Sequence, residues 1–207
     1  MPATALAPPD RVEVYLLRHG QTAWNVERRF LGASDVPLDD VGRAQANQVA
    51  AYFQGLRPYT VYSSPLSRAL ETARALGPPR VVAGLAEMNM GALEGLSAEA
   101  CTARWPELLP AWRDAPAEVT IPGGETLAAV QTRILAAFRG LVAAHRPGER
   151  LVVVTHQLAL SSLLCGLAGR TLSEFRSFGH RNCAYTRILV GAAVDILEVD
   201  RGDHLTA

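Results

Sequence analysis

The chain has 207 residues, nearly half of them hydrophobic, which is enough for one substantial core and argues against disorder beyond the ends. Acidic and basic residues balance at 20 each, so nothing points to nucleic acid or an anionic membrane as partner. Every basic residue is arginine, which excludes lysine Schiff bases and P-loop lysines.

Residues 1–10 hold Pro and Ala without a basic stretch or a long apolar run, and read as a flexible lead-in rather than a signal peptide. From Val12 to Leu17 an apolar, β-branched run of strand length ends abruptly in Arg18-His19-Gly20 and a polar turn. In an open α/β sheet, sites form where strands deliver polar side chains at their C-terminal ends. Arg18 brings a planar positive fork suited to phosphate oxygens, and His19 an imidazole able to attack phosphorus or relay a proton. Gly20 permits a tight turn and a close backbone approach to a ligand.

A helix is expected near 40–54, with Val41, Ala44, Val49 and Phe53 on its apolar face and Gly55 at its C-cap. Arg28 and Arg29 read as surface, with an acidic substrate as the sharper alternative. Residues 60–64 read as a second strand, and 66–76 as a helix with Arg68 in its first turn, where unpaired N–H groups and the dipole favour an anion. A short weak strand is expected at 80–83. Two short helices within 97–114 form a small helical cap, an insertion spanning about 88–122, and such insertions commonly govern which leaving group fits. Leu127, Val130, Ile134, Leu135, Phe138 and Val142 mark the core face of a helix over 126–145. Residues 150–155 are the clearest buried strand. It is expected to run parallel to the first and to deliver His156, ahead of an apolar helix over 158–167. Segments 186–190 and 194–199 read as an antiparallel hairpin at the sheet edge.

The run Arg18-His19-Gly20-Gln21-Thr22-x-Trp24-Asn25 resembles the signature of the histidine phosphatase superfamily, which includes the cofactor-dependent phosphoglycerate mutases. Ser63-Ser64-Pro65-Leu66-Ser67-Arg68 resembles its second phosphate-binding segment, and Gly124-Glu125-Thr126 its Gly-Glu-Ser segment. The likeness runs from about residue 12 to 205. It implies a three-layer α/β/α sandwich with a mostly parallel central sheet and an antiparallel edge strand, as one domain over 11–207. It also implies a catalytic set of His19 as nucleophile, Glu87 as proton donor, and Arg18, Arg68 and His156 neutralising phosphoryl oxygens. Thr22, Asn25 and Gln157 would add phosphate contacts. Glu94 matches a Glu-Gly pair and suggests a structural turn. Gln157 departs from the family, which has a small residue there whose N–H faces phosphate; the added side chain must turn away or meet substrate. Asn182 fits a turn near the pocket or a purely structural one, and His180 and Arg181 are candidates to reach an acidic substrate.

These residues imply hydrolysis of small phosphate monoesters through a phosphohistidine, with no metal or organic cofactor. A bisphosphoglycerate-dependent mutase would use the same His19 and Glu87. Residues 88–122, however, hold only Arg104 and Arg113 as basic residues, little fixed charge for retaining a bisphosphate. A non-catalytic phospholigand binder is the remote alternative. Cys101, Cys165 and Cys183 lack metal or redox spacing, no apolar run spans a bilayer, and a cytoplasmic location is expected. An exposed edge strand leaves room for a homodimer.

Overall fold

The computed structural model describes residues 8–205, so most of the expected flexible lead-in, residues 1–7, lies outside the described residues. Six strands form one sheet: β1 (Val12–Arg18), β2 (Thr60–Ser63), β3 (Arg80–Val81), β4 (Arg150–Thr155), β5 (Tyr185–Val190) and β6 (Val194–Arg201), in the order β3-β2-β4-β1-β5-β6. The first four strands in that order run parallel; β5 pairs antiparallel with β1, and β6 antiparallel with β5, so the expected edge hairpin is present. The α-helices among the described residues are α1 (Ala23–Val26), α2 (Asp40–Phe53), α3 (Ser67–Leu76), α4 (Ala98–Arg104), α5 (Leu108–Asp114), α6 (Leu127–Ala143) and α7 (Gln157–Leu167).

The strand period of two builds the layers. Val12, Val14 and Leu16 of β1, with Leu151 and Val153 of β4, pack on α6 and α7; Tyr15 and Leu17, with Val152 and Val154, pack on α2 and α3. Burial on both faces explains why β4 reads as an unbroken apolar run instead of an alternating one. The register sets Arg18 beside Thr155, so that His19 and His156 leave adjacent strands at one end of the sheet.

Two expectations for α2 change. Its buried face is Gly42, Ala46, Val49, Ala50 and Phe53, while Val41 and Ala44 face solvent. Gly55 does not cap it, because the chain continues into a 3-10 turn over Gln54–Leu56. Gly42 is the residue the pattern concealed. A Cβ at Gly20 would lie 2.5 Å from the carbonyl oxygen of Gly42, and one at Gly42 would lie 2.0 Å from that of Gln21. The close approach that Gly20 permits is therefore to the start of α2. A further 3-10 segment, Leu172–Phe178, had no clear periodicity in the sequence; it buries Phe175 and Phe178 against α7 and the cap.

Candidate active site

At the C-terminal ends of β1 and β4 lies a cleft of about 230 Å³, walled by Arg18, His19, Asn25, Glu87 and Gln157 on its polar side and by Phe30, Leu31, Met90, Trp112 and Leu158 on its apolar side. His19 Nδ1 sits 2.7 Å from the carbonyl oxygen of Gly20. A carbonyl only accepts, so Nδ1 carries the proton and Nε2 keeps its lone pair. Burial, then the charges of Arg18 and Arg68, hold the His19 pKa well below its ordinary 6.5, so the ring is neutral. Arg18 donates Nη1 to the carbonyl oxygen of His180 at 2.6 Å, and its buried Nε–H has no partner among the described residues. An orphaned guanidinium N–H beside a neutral imidazole suits an anionic oxygen.

Arg68 and His156 are both fully buried and do not line the cleft. Arg68 donates to the carbonyl oxygens of Gly32 and Ser34 at 2.7 and 2.8 Å, and its Nε to His156 Nδ1 at 3.2 Å. His156 Nδ1 is thus an acceptor, which puts the proton on Nε2, 2.7 Å from Ser64 Oγ. The two histidine rings lie 5.1 Å apart, centre to centre. The expected anion-binding start of α3 is otherwise engaged: the Ser67 N–H donates to Asp35 at 2.7 Å.

Thr22 is buried and caps α1 in a reciprocal box with Asn25. Asn25 Oδ1 receives the Thr22 amide, the Thr22 hydroxyl and Asn182 Nδ2, which leaves Asn25 Nδ2 as the donor on offer to a ligand. Asn182 Nδ2 also reaches the carbonyl oxygen of His19 at 3.0 Å, so Asn182 joins the turn to the site.

Glu87 comes from the loop after β3 and meets the start of α7. Its Oε1 accepts the amides of Met88 (2.8 Å) and Ala159 (3.0 Å); its Oε2 accepts that of Leu158 (3.1 Å). The helix N-terminus is thus occupied by the carboxylate. Oε2, with one bond fewer, has the open lone pair on which a proton can sit. Gln157 resolves the departure noted in the sequence by turning back: its side chain accepts from the His180 amide at 3.0 Å and donates to Ser161 Oγ at 3.1 Å.

Neither His180 nor Arg181 faces the cleft. His180 is buried between the Phe178 carbonyl and the Thr186 hydroxyl, and Arg181 pairs with Asp200 on β6. Arg29 does line the cleft, held by Glu27 and the carbonyl oxygen of Gly95; Arg28 is exposed. Glu94 closes the Gly32 turn, accepting from the amides of Ala33, Ser34 and Met90. Sequence reasoning missed the contribution of Phe30, Leu31 and Trp112 to the wall, because side-chain direction in loops has no period to read. Among the described residues, no group of three or more His, Cys, Asp or Glu is placed to hold a metal ion.

An open α/β sheet that presents a neutral imidazole and a half-paired guanidinium at the end of its central strand is built for chemistry at a phosphoryl group. Residues 14–195 match the histidine phosphatase superfamily (branch 1), and the chain belongs to that family. It is 38% identical over 162 residues to phosphoglycerate mutase-like protein 4 of Arabidopsis thaliana, covering 74% of this chain and 70% of that one. It is 32% identical over 186 residues to phosphoserine phosphatase 1 of Hydrogenobacter thermophilus, covering 86% of each. A mycobacterial glucosyl-3-phosphoglycerate phosphatase in complex with VO3 superposes with a TM-score of 0.83 at 28% identity, over 92% of this chain and 99% of that one.

Proposed function

We propose that the chain is a phosphomonoesterase that hydrolyses small phosphorylated metabolites through a phosphohistidine on His19. The observation that carries this reading is the locked Nδ1–H of His19, which presents Nε2 to the cleft beside the orphaned Nε–H of Arg18. The Nε2 lone pair attacks phosphorus in line and the P–O ester bond breaks. Glu87 delivers its proton to the departing alkoxide, and the alcohol leaves. Water then attacks the phosphohistidine; Glu87 takes its proton, the P–N bond breaks, and inorganic phosphate is released with His19 and Glu87 restored. Arg18 and Asn25 bind the phosphoryl oxygens directly. Arg68 acts from behind, as a buried charge and as the group that fixes the His156 tautomer.

Relatives and structural neighbours that are phosphatases support hydrolysis, and a mutase-like relative keeps phosphoglycerate isomerisation as the second reading. The charge in the cleft favours hydrolysis. Among the described residues that line it, the cations are Arg18 and Arg29, and Arg29 is already held by Glu27 and a carbonyl, leaving little to retain a bisphosphate.

The test is phosphorus NMR of 3-phosphoglycerate with a trace of 2,3-bisphosphoglycerate, together with acid-quenched labelling of the enzyme. Free phosphate with a labelled wild type and an unlabelled, inactive His19→Ala supports the phosphatase. Formation of 2-phosphoglycerate would make the chain a mutase, and normal turnover by His19→Ala would remove the nucleophile assignment.

Two further readings have narrower support. The three cysteines are free and buried, which fits the reducing cytoplasm, and no helix among the described residues is long and apolar enough to cross a membrane. Strand β6 has one open edge and exposes Leu197 and Val199. An antiparallel pairing of two copies about Glu198 would set Leu197 against Val199, so the apolar side chains of that edge could cover one another in a homodimer.

A further inference from the structure

Glu87 sits on a loop, yet proton delivery demands placement within hydrogen-bond reach of the leaving oxygen. What holds the loop is a side chain outside the cleft. Arg133, in the middle of α6, spends all five of its N–H groups on three carbonyls and one carboxylate. Nη1 donates to the carbonyl oxygens of Gly84 (3.2 Å) and Ala86 (2.7 Å), and Nη2 to that of Glu87 itself (2.8 Å). Nη2 and Nε grip the carboxylate of Glu125 at 2.9 and 2.8 Å.

Glu125 in turn pairs with the far side of the same loop: its carboxylate accepts the Asn89 amide at 2.8 Å, and its own amide donates to the Asn89 carbonyl at 2.9 Å. Thr155, at the end of β4, takes the remaining carbonyl, Leu85, at 2.7 Å. Each carbonyl from Gly84 to Glu87 therefore has a side-chain donor. Close packing reinforces the clamp, since a Cβ at Gly84 would lie 2.7 Å from that of Ala137, one turn along α6.

We propose that Arg133, locked by Glu125, is a positioning residue for proton transfer: it fixes the backbone that aims Glu87 and has no N–H left to touch substrate. The proposal rests on Glu87 being the acid. It explains why an arginine stands here, because five donors in a planar fork span three carbonyls and a carboxylate, whereas lysine has three donors on a single nitrogen.

Two substrates of similar shape and different leaving groups test it. The p-nitrophenolate group departs without help, whereas the phenolate of phenyl phosphate gains from a proton, and kcat/KM reports that first step. Wild type, Glu87→Gln, Arg133→Lys and Glu125→Gln would be compared by the ratio of kcat/KM for p-nitrophenyl phosphate to that for phenyl phosphate. The expected result is a ratio at least ~10-fold above wild type in Glu87→Gln, and a rise of the same sign in Arg133→Lys and Glu125→Gln. A raised ratio in Glu87→Gln with wild-type ratios in both clamp variants would overturn the proposal and leave Glu87 as the acid. An unchanged ratio in Glu87→Gln would instead remove the acid assignment itself, and the positioning role with it. Should Arg133→Lys not fold, Glu125→Gln, which keeps the shape and removes the charge, decides.

Discussion

At the scale of single residues, the site is an arrangement of protons. His19 and His156 are both neutral, but oppositely protonated: Nδ1–H on the nucleophile, set by the Gly20 carbonyl, and Nε2–H on its neighbour, set by Arg68. Burial, followed by nearby arginine charge, keeps both far below the ordinary 6.5. Below pH 6.5 an unfolded chain takes up protons that the folded site refuses, so stability is full above that pH and falls beneath it. The slope expected from these two groups is up to about 1.4 kcal/mol per pH unit for each histidine. Urea unfolding between pH 7 and 5 should show this fall, and His19→Gln should flatten it; an identical slope in the variant would mean that His19 titrates normally. Arg18→Ala, which removes the orphaned donor, should lower kcat/KM by ~100-fold or more without loss of the folded state.

Elements matter by what they hold in place. The cap helix α5 has no buried residue of its own, and its last carbonyls would go unpaired without help. Arg176, from the 3-10 segment Leu172–Phe178, donates to the carbonyl oxygens of Trp112 (3.0 Å) and Arg113 (3.2 Å), while Trp112 meets Phe175 edge-on at 5.9 Å. A segment remote in sequence thus anchors the apolar wall of the cleft. Arg176→Ala should raise KM by roughly 3- to 10-fold, the worth of one or two exposed, charge-assisted bonds, with kcat nearly unchanged. Steady-state kinetics on p-nitrophenyl phosphate would check this, and an equal fall in kcat would place Arg176 closer to the chemistry.

For the whole molecule, the sheet decides both where the site forms and where a partner can add. Parallel β1 and β4 share a register, so their ends meet at one pole, while the antiparallel β5 and β6 carry the sheet outward to an eight-residue edge strand without proline. Leu197 is 46% exposed and Val199 38% on that strand, which is the last of the sheet. Sedimentation should find a dimer that Leu197→Arg converts to a monomer with phosphatase activity retained. A wild-type monomer at micromolar concentration would end the edge-pairing proposal.

The two central strands and the residues at their ends were legible in the sequence because an unbroken apolar run of strand length has a local cause, and so does the polar turn that stops it. That reasoning pointed to Arg18, His19 and His156, whereas Glu87 was marked only by the likeness to the family. The sequence by itself determined which groups are present, that two histidines end two buried strands, and that lysine plays no part. Only the tertiary structure decided which nitrogen of each histidine carries the proton, that Arg68 stands behind the wall, that Gln157 folds back, and that Arg133 reaches across from α6 to the Glu87 loop. Those outcomes depend on carbonyls and amides brought together from distant segments, as when Glu87 meets Leu158 and Ala159. Hydrogen-bond direction at such meetings has no periodicity along the chain, and it exists only once the backbone is folded.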